Sequence, residues 1–290
     1  MTPVWIAYAL ASALFAGAVA VLAKAGIRHT PSNLATAIRT LVVLVLAWAV
    51  VLVVGSQSTL DSLSGRTWLF LVLSGLATGG AWLCYFRALQ LGSVNPVVAV
   101  DKSSIVLTVV LAIALFGETQ DLLLRAVGIA AIAVGTYLMV RWQPPGQSAR
   151  TGWAWLAYAV GSAVFASLTT ILAKVGMEGV ESNLGTAIRT VVVLVLAWGI
   201  VLVTGEHRQL RGLRRREVLL LIVSGLATGA SWLCFFRALQ SGPVSGVVPL
   251  DRLSVVVTAV LAYVAFRERL TRLGLVGLAL IVAGTIAMVV

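Results

Sequence analysis

Residues 32–48, SNLATAIRTLVVLVLAW, return at 182–198 as SNLGTAIRTVVVLVLAW, and GLATGGAWLCYFRALQ at 75–90 returns at 225–240 as GLATGASWLCFFRALQ. The offset is 150 residues, without a gap from Trp5 and Trp155 to Glu118 and Glu268, and 63 of these 114 positions are identical. One residue is dropped just afterwards, so Gly128, Gly135 and Thr136 fall opposite Gly277, Gly284 and Thr285. A repeat this long requires the chain to fold as two copies of one unit, and it constrains the architecture before any single residue does.

Each copy contains five long apolar segments. They cover 4–27, 33–55, 67–90, 93–117 and 122–141 in the first, then 153–176, 183–204, 217–240, 243–267 and 272–290 in the second. Each has roughly the 17–25 residues a helix needs to cross a ~30 Å hydrocarbon layer. The composition agrees: 60% of the 290 residues are hydrophobic, 11% are charged, and the mean hydropathy is +1.03. A soluble domain cannot hide that much apolar surface. The apolar stretches also run from end to end, which excludes a signal peptide or a single anchor. Five spans per copy is an odd number, so the second copy starts on the opposite side of the bilayer from the first. The expected fold is therefore an all-α polytopic membrane protein of ten transmembrane helices, arranged as two inverted five-helix repeats. The first repeat is 1–141, a linker is 142–152, and the second repeat is 153–290. Gly75 with Gly79, and Gly225 with Gly229, read as close helix contacts.

A formal net charge of +11 raises the question of nucleic acid. No basic stripe, zinc-finger spacing or RNA-binding aromatic motif is present, and no nucleic-acid partner is expected. Most of the basic residues fall between the spans. One set of connectors holds Lys24, Arg28, Arg141, Arg150, Arg208, Arg211, Arg214, Arg215, Arg216, Arg267, Arg269 and Arg272; the other holds Arg66, Arg125 and Lys174. The positive-inside rule puts the richer set in the cytoplasm and both termini outside. The least repeat-like connector, EHRQLRGLRRRE at 206–217, enforces this topology and can meet anionic lipid heads.

Six basic residues remain within or near the spans: Arg39, Arg87, Lys102, Arg189, Arg237 and Arg252. Asp101 and Asp251 join them. Charges this deep should face protein or water, or snorkel near a helix end. Alternating helix direction sends Arg39, Arg87, Asp101 and Lys102 towards the cytoplasm, and Arg189, Arg237, Asp251 and Arg252 outwards. Two equivalent clusters are thus expected, one near each mouth of the seam. Asp101 has Arg39 or Arg87 as a partner, and Asp251 has Arg189 or Arg237. The clusters are either static ion pairs or alternating gates. Each holds a surplus of positive charge, which favours an anionic or zwitterionic solute, and ion coupling through either aspartate is open to protons.

Other polar and aromatic groups surround these charges. Asn33 and Asn183 read as helix caps or solute ligands, and Trp82, Tyr85, Trp232 and Phe235 as packing or pocket aromatics. Gln90, Gln240, Ser104, Ser254, Thr108 and Thr258 can hydrogen-bond to a solute or to neighbouring helices. Pro96 and Pro249 read as prolines tolerated in a first turn, or as local kinks. Glu118 and Glu268 are expected at the membrane interface.

Chemistry is scarce by comparison. Cys84 and Cys234 lie inside apolar segments, and His29 and His207 have no ligands at familiar spacing, so neither a disulfide nor a metal site is expected. No phosphate-binding loop, dinucleotide fingerprint or nucleophile elbow interrupts the spans. The chain is expected to be no enzyme and to need no cofactor.

The motifs SNLATAIRT, SGLATG-x-x-WLC[YF]FRALQ, D[KR]-x-S in the fourth span and a glutamate before the fifth resemble the EamA-type branch of the drug/metabolite transporter superfamily. The resemblance covers nearly the whole chain and includes small single-repeat relatives that pair as dimers. It implies solute export or exchange across the plasma membrane, with substrates ranging over amino acids, metabolites, drugs and lipid-linked molecules. Two-repeat relatives are described with both termini in the cytoplasm; the arginine distribution here points the other way. The expectation is a secondary transporter of a small polar, zwitterionic, anionic or amphipathic metabolite, with the solute and membrane lipids as partners and the oligomeric state left open. The alternatives are a non-transporting scaffold or lipid-regulatory protein, and a lipid-translocating member of the same family.

Overall fold

The computed structural model describes residues 4–27, 30–116, 122–141, 153–177, 180–241, 247 and 250–287, which are overwhelmingly helical and contain no strand. In the first repeat α1 is Val4–Gly26, α2 Ser32–Val54, α3 Gly65–Leu91, α4 Val94–Lys102, α5 Ser104–Phe116 and α6 Leu122–Arg141. In the second, α7 is Ala154–Gly176, α8 Ser182–Val203, α9 Arg215–Ser241, α10 Ser254–Phe266 and α11 Arg272–Ala287. Eight helical segments among the described residues are long and apolar enough to cross a membrane, with α4 and part of α5 counted as one. The fold is that of ten transmembrane helices in two inverted five-helix repeats.

The repeats are interlocked. α1 packs on α9 and α7 on α3, so the first helix of each copy lies against the third helix of the other. The self-equivalent pairs α2–α8 and α6–α11 lie on the pseudo-two-fold axis. Hydrogen bonds repeat the same exchange: Ser74 Oγ donates to the Thr169 carbonyl (2.9 Å), and Ser224 Oγ to that of Val19 (3.2 Å), the position 150 residues earlier. Lipid supplies little hydrophobic force between helices, so close packing and such bonds hold the repeats together. Gly75 and Gly225 show why small residues are needed. A Cβ on Gly75 would lie 2.7 Å from Val192 Cβ, and one on Gly225 would lie 2.8 Å from Val42 Cβ. The opposite faces carry exposed valines and leucines, including the equivalent pairs Val45 and Val195, and Val53 and Val203, as a lipid-facing surface requires.

The fourth span is broken in both copies. α4 stops at Lys102 and α5 begins at Ser104, and residues 250–252 and α10 are separated in the same way at Leu253. The backbone tightens at these points instead of opening: Val106 N donates to the Ser103 carbonyl and Val256 N to that of Leu253, each at 2.9 Å. Ser103 Oγ also folds back onto the Val100 carbonyl at 2.6 Å, a local bond that competes with helix continuation. Pro96 sits buried in the first turn of α4, where a missing N–H is harmless. The break therefore lies seven residues beyond it, just after the charged pair. Pro249 lies outside the described residues.

Candidate functional site: a charged cavity at the repeat seam

A cavity of about 540 Å³ lies between the repeats. Its charged lining is Arg39, Asp101, Lys102, Lys174, Arg189, Asp251 and Arg252; Trp82, Tyr85, Phe86, Trp232 and Phe235 supply its aromatic walls. Ten of the fourteen candidate side chains thus meet in one place.

This corrects the expected pair of clusters at opposite mouths. Arg39 and Asp101 each lie seven residues into their helices, about 10 Å at 1.5 Å per residue. Against a ~30 Å hydrocarbon layer, that depth is about a third of the way across, well inside the membrane face. The inverted copies arrive from the other side and meet them there, so that Lys102 feels Asp251, Arg252 and Asp101 together.

The expected aspartate partners also differ. Ser162 Oγ donates to Asp101 Oδ1 and Ser12 Oγ to Asp251 Oδ1, each at 2.7 Å and each from the first helix of the other repeat. Arg39 Nη2 donates to Thr228 Oγ1 (2.7 Å) and Arg189 Nη2 to Thr78 Oγ1 (2.9 Å), again across the seam. Threonine hydroxyls on helices that already approach closely at Gly75 and Gly225 reach the arginines sooner than the aspartates do. The Arg39 guanidinium lies 4.2 Å from the centroid of Phe86 and 5.8 Å from that of Trp82; Arg189 lies 5.9 Å from Trp232. Trp82 and Trp232 face one another at 5.3 Å between centroids.

Four candidates lie elsewhere. Asn33 Nδ2 donates to Glu206 Oε1 (2.8 Å) and Asn183 Nδ2 to Glu181 Oε1 (2.6 Å), both at helix N-termini. Arg87 and Arg237 are exposed, and Arg87 donates to Gln90 Oε1 at 2.6 Å. Asn33, Arg87 and Glu206 line a separate, more open hollow of about 560 Å³. Ser254 and Ser104 are buried beside the helix breaks, with no partner for either Oγ among the described residues. Thr108 and Thr258 hydroxyls bond to helix carbonyls. The Gln240 side chain and Glu118 lie outside what is described. Glu268 is buried instead of interfacial, and accepts hydrogen bonds from Val94 N, Asn95 N and Asn95 Nδ2 at 3.1–3.3 Å.

Sequence reasoning did not single out Ser12, Ser162, Thr78 or Thr228. All four are identical across the 150-residue offset, and that identity was the available signal.

The two ends of the cavity differ. It reaches Lys174, Met177, Val180 and Ser182, where Lys174 is exposed. The equivalent residues Lys24, Ile27, Thr30 and Ser32 do not line it. Ile27 is 2% exposed and Thr30 fully buried, and Lys24 Nζ donates to the carbonyls of Leu89 and Gly92 at the end of α3. The orphan carbonyls of a helix C-terminus, negative by the macrodipole, suit an ammonium group.

A ten-helix inverted repeat built around a polar seam cavity, closed at one end, has the architecture of a membrane transporter. The comparisons with known proteins agree. The chain belongs to the EamA-like transporter family, which it matches twice, over residues 3–141 and 153–290. An "uncharacterized transporter in cobO 3'region" of Sinorhizobium sp is 45% identical over 139 residues, which is 48% of this chain and 98% of that protein. That relative has the length of one repeat. A solved crystal structure shares the fold, with a TM-score of 0.70 over 98% of this chain and 96% of its own, at 20% sequence identity.

Proposed function

We propose that the chain is a secondary transporter of a small polar, zwitterionic, anionic or amphipathic metabolite, working by alternating access in the plasma membrane. The observation that carries this reading is the unequal pair of cavity ends. Residues that seal one end have sequence-equivalent partners that line the other, so exchanging the two conformations between the repeats would close the open end and open the closed one. Binding and rearrangement suffice for such a cycle, with no covalent step. A scaffold has no need of a charged cavity of about 540 Å³. The arginine distribution supports external termini, which would make the described conformation open to the outside.

Proteoliposomes containing the purified chain test this directly. Saturable flux of members of a broad metabolite library is expected, with and without a pH gradient, at rates above protein-free vesicles. A panel giving no facilitated or coupled flux in either gradient sinks the transport reading. Thiol labelling of cysteines placed at each terminus fixes the orientation.

A further inference from the structure

Five cationic side chains line the cavity, Arg39, Lys102, Lys174, Arg189 and Arg252, against the two carboxylates Asp101 and Asp251. Two of these cations are almost wholly buried: Arg39 is 1% exposed and Arg189 3%. Among the described residues each makes one hydrogen bond, from Nη2 to the neutral hydroxyl of Thr228 or Thr78. Arg39 Nε and Nη1, Arg189 Nε and Arg252 Nε are buried with no partner among the described residues. Buried donors are normally satisfied, and donors on a charged group are the least tolerable to leave open. The Oδ1 atoms of both aspartates are engaged by serines from the opposite repeats.

The aromatic geometry is equally specific. Trp82 and Trp232 meet at the pseudo-two-fold axis, with Arg39 beside the first ring and Arg189 beside the second at nearly equal distances. A ligand in this space finds apolar ring surface in the middle and a guanidinium on either side.

We infer that the cavity is a binding site for an organic anion, a carboxylate or a phosphate ester with an aromatic or other apolar body. The Arg39 and Arg189 guanidinium groups take up its oxyanion, and the Trp82–Trp232 pair takes its apolar part. Guanidinium presents its N–H donors in a planar fork that matches carboxylate and phosphate oxygens, which a lysine does not. The net positive lining is reduced when the anion binds, and a cationic ligand increases it. The two equivalent arginines also give the oxyanion a symmetry-related partner in the oppositely facing conformation. The inference deepens the transport reading and rests on the same cavity.

The test uses the full-length chain in detergent and four probes: phenylacetate, phenyl phosphate, phenylacetamide and phenethylamine. Intrinsic tryptophan fluorescence and the thermal unfolding midpoint report binding. At least one of the two anions is expected to bind saturably and at least tenfold more tightly than the amide or the amine. Arg39→Gln and Arg189→Gln are expected to weaken that anion at least tenfold, and Arg189→Lys to restore part of the loss. Amine binding as tight as anion binding, or no saturable shift with either anion, overturns the proposal. If the glutamine variants do not fold, the comparison of anion with amine in the unsubstituted chain decides alone. The same probes in proteoliposomes separate the two readings. Anion binding without flux of any solute sinks transport and leaves the site standing, whereas amine flux without anion binding does the reverse.

Discussion

At the Lys24 end of the cavity three glutamates of the second repeat hold groups of the first, whereas at the Lys174 end the glutamate at the start of the second helix caps its own repeat. At the closed end, Glu268 of the second repeat holds the start of α4, Glu217 accepts from Thr30 at 2.6 Å, and Glu206 holds the start of α2 through Asn33 and Leu34, while Lys24 draws α1 onto Leu89 and Gly92 within its own repeat. At the open end, Glu181 holds the start of α8, its own repeat's helix, through Asn183 and Leu184. The sequence positions equivalent to Glu217 and Glu206 are Thr67 and Ser56, which carry no charge. A twofold fold with identical copies would be equally stable in either direction. Carboxylates found in only one copy break that balance, and they stand where they draw one end shut.

Lys24→Gln gives the largest expected effect. Hydrogen bonds to a charged donor contribute about 1.5–3 kcal/mol each, and every 1.4 kcal/mol is a factor of ten in an equilibrium. With Cys84 and Cys234 replaced by serine, a probe cysteine at Ile27 is expected to react with a soluble maleimide at least tenfold faster once Lys24 is removed. A probe at Met177, already beside the open mouth, should react rapidly in both backgrounds, and Lys174→Gln should change its rate less than twofold. Equal responses to the two lysine substitutions would erase the comparison.

Glu268→Ala should come next. The residue is 8% exposed, and its carboxylate takes the first N–H groups of α4 as well as the Asn95 amide, so its removal leaves buried donors at a helix N-terminus. A loss of about 2 kcal/mol is expected, read as a lower unfolding midpoint. Arg267 just before it adopts a left-handed φ of 57°, which turns the chain so that Glu268 points back. The first copy has Gly117 at that position, a residue that adopts such a φ without strain. Arg267→Gly should accordingly preserve both the cap and the midpoint.

The ten spans and their inversion were readable because length, hydropathy and the repeat all depend on local composition. Residues bearing charge inside apolar runs were readable for the same reason, and Arg39, Asp101, Lys102, Arg189, Asp251 and Arg252 do line one cavity. Their grouping into two clusters followed from assigning each to the nearer membrane face, when helix rise carries them about a third of the way across, deep enough for the two sets to line one cavity. Partner choice was not readable either. Whether Asp101 meets Arg39 or Ser162 depends on the packing of α7 against α3 and α4, which sequence spacing does not encode. The helix breaks escaped attention because proline is a louder signal than Ser103, whose hydroxyl bonds back to Val100, and the equivalent Leu253 carries no hydroxyl at all. The glutamate ties were the hardest to see: they act between repeats, and Glu206 and Glu217 belong to one copy only, so the repeat itself gave no warning of these two.

The subtlest difference between the ends is the origin of the cap on the second helix of each repeat. Position 181 is glutamate and holds its own helix; the equivalent residue, Pro31, has no side-chain acceptor to offer, and Glu206 comes from the other repeat to take over. A Pro31→Glu substitution supplies the missing cap from within the first repeat and should make Glu206 redundant there. In the unsubstituted chain, Glu206→Ser is expected to lower stability by about 0.5–1 kcal/mol, in the range of an exchanged N-cap, and to raise labelling at the Ile27 probe about twofold to fivefold. In the Pro31→Glu background, the same substitution should leave the unfolding midpoint nearly unchanged yet still raise labelling, because the helix stays capped while the tie between repeats is lost. If labelling and midpoint move together in both backgrounds, Glu206 acts only as a cap, and the bias towards one closed end lies with Lys24, Glu217 and Glu268 alone.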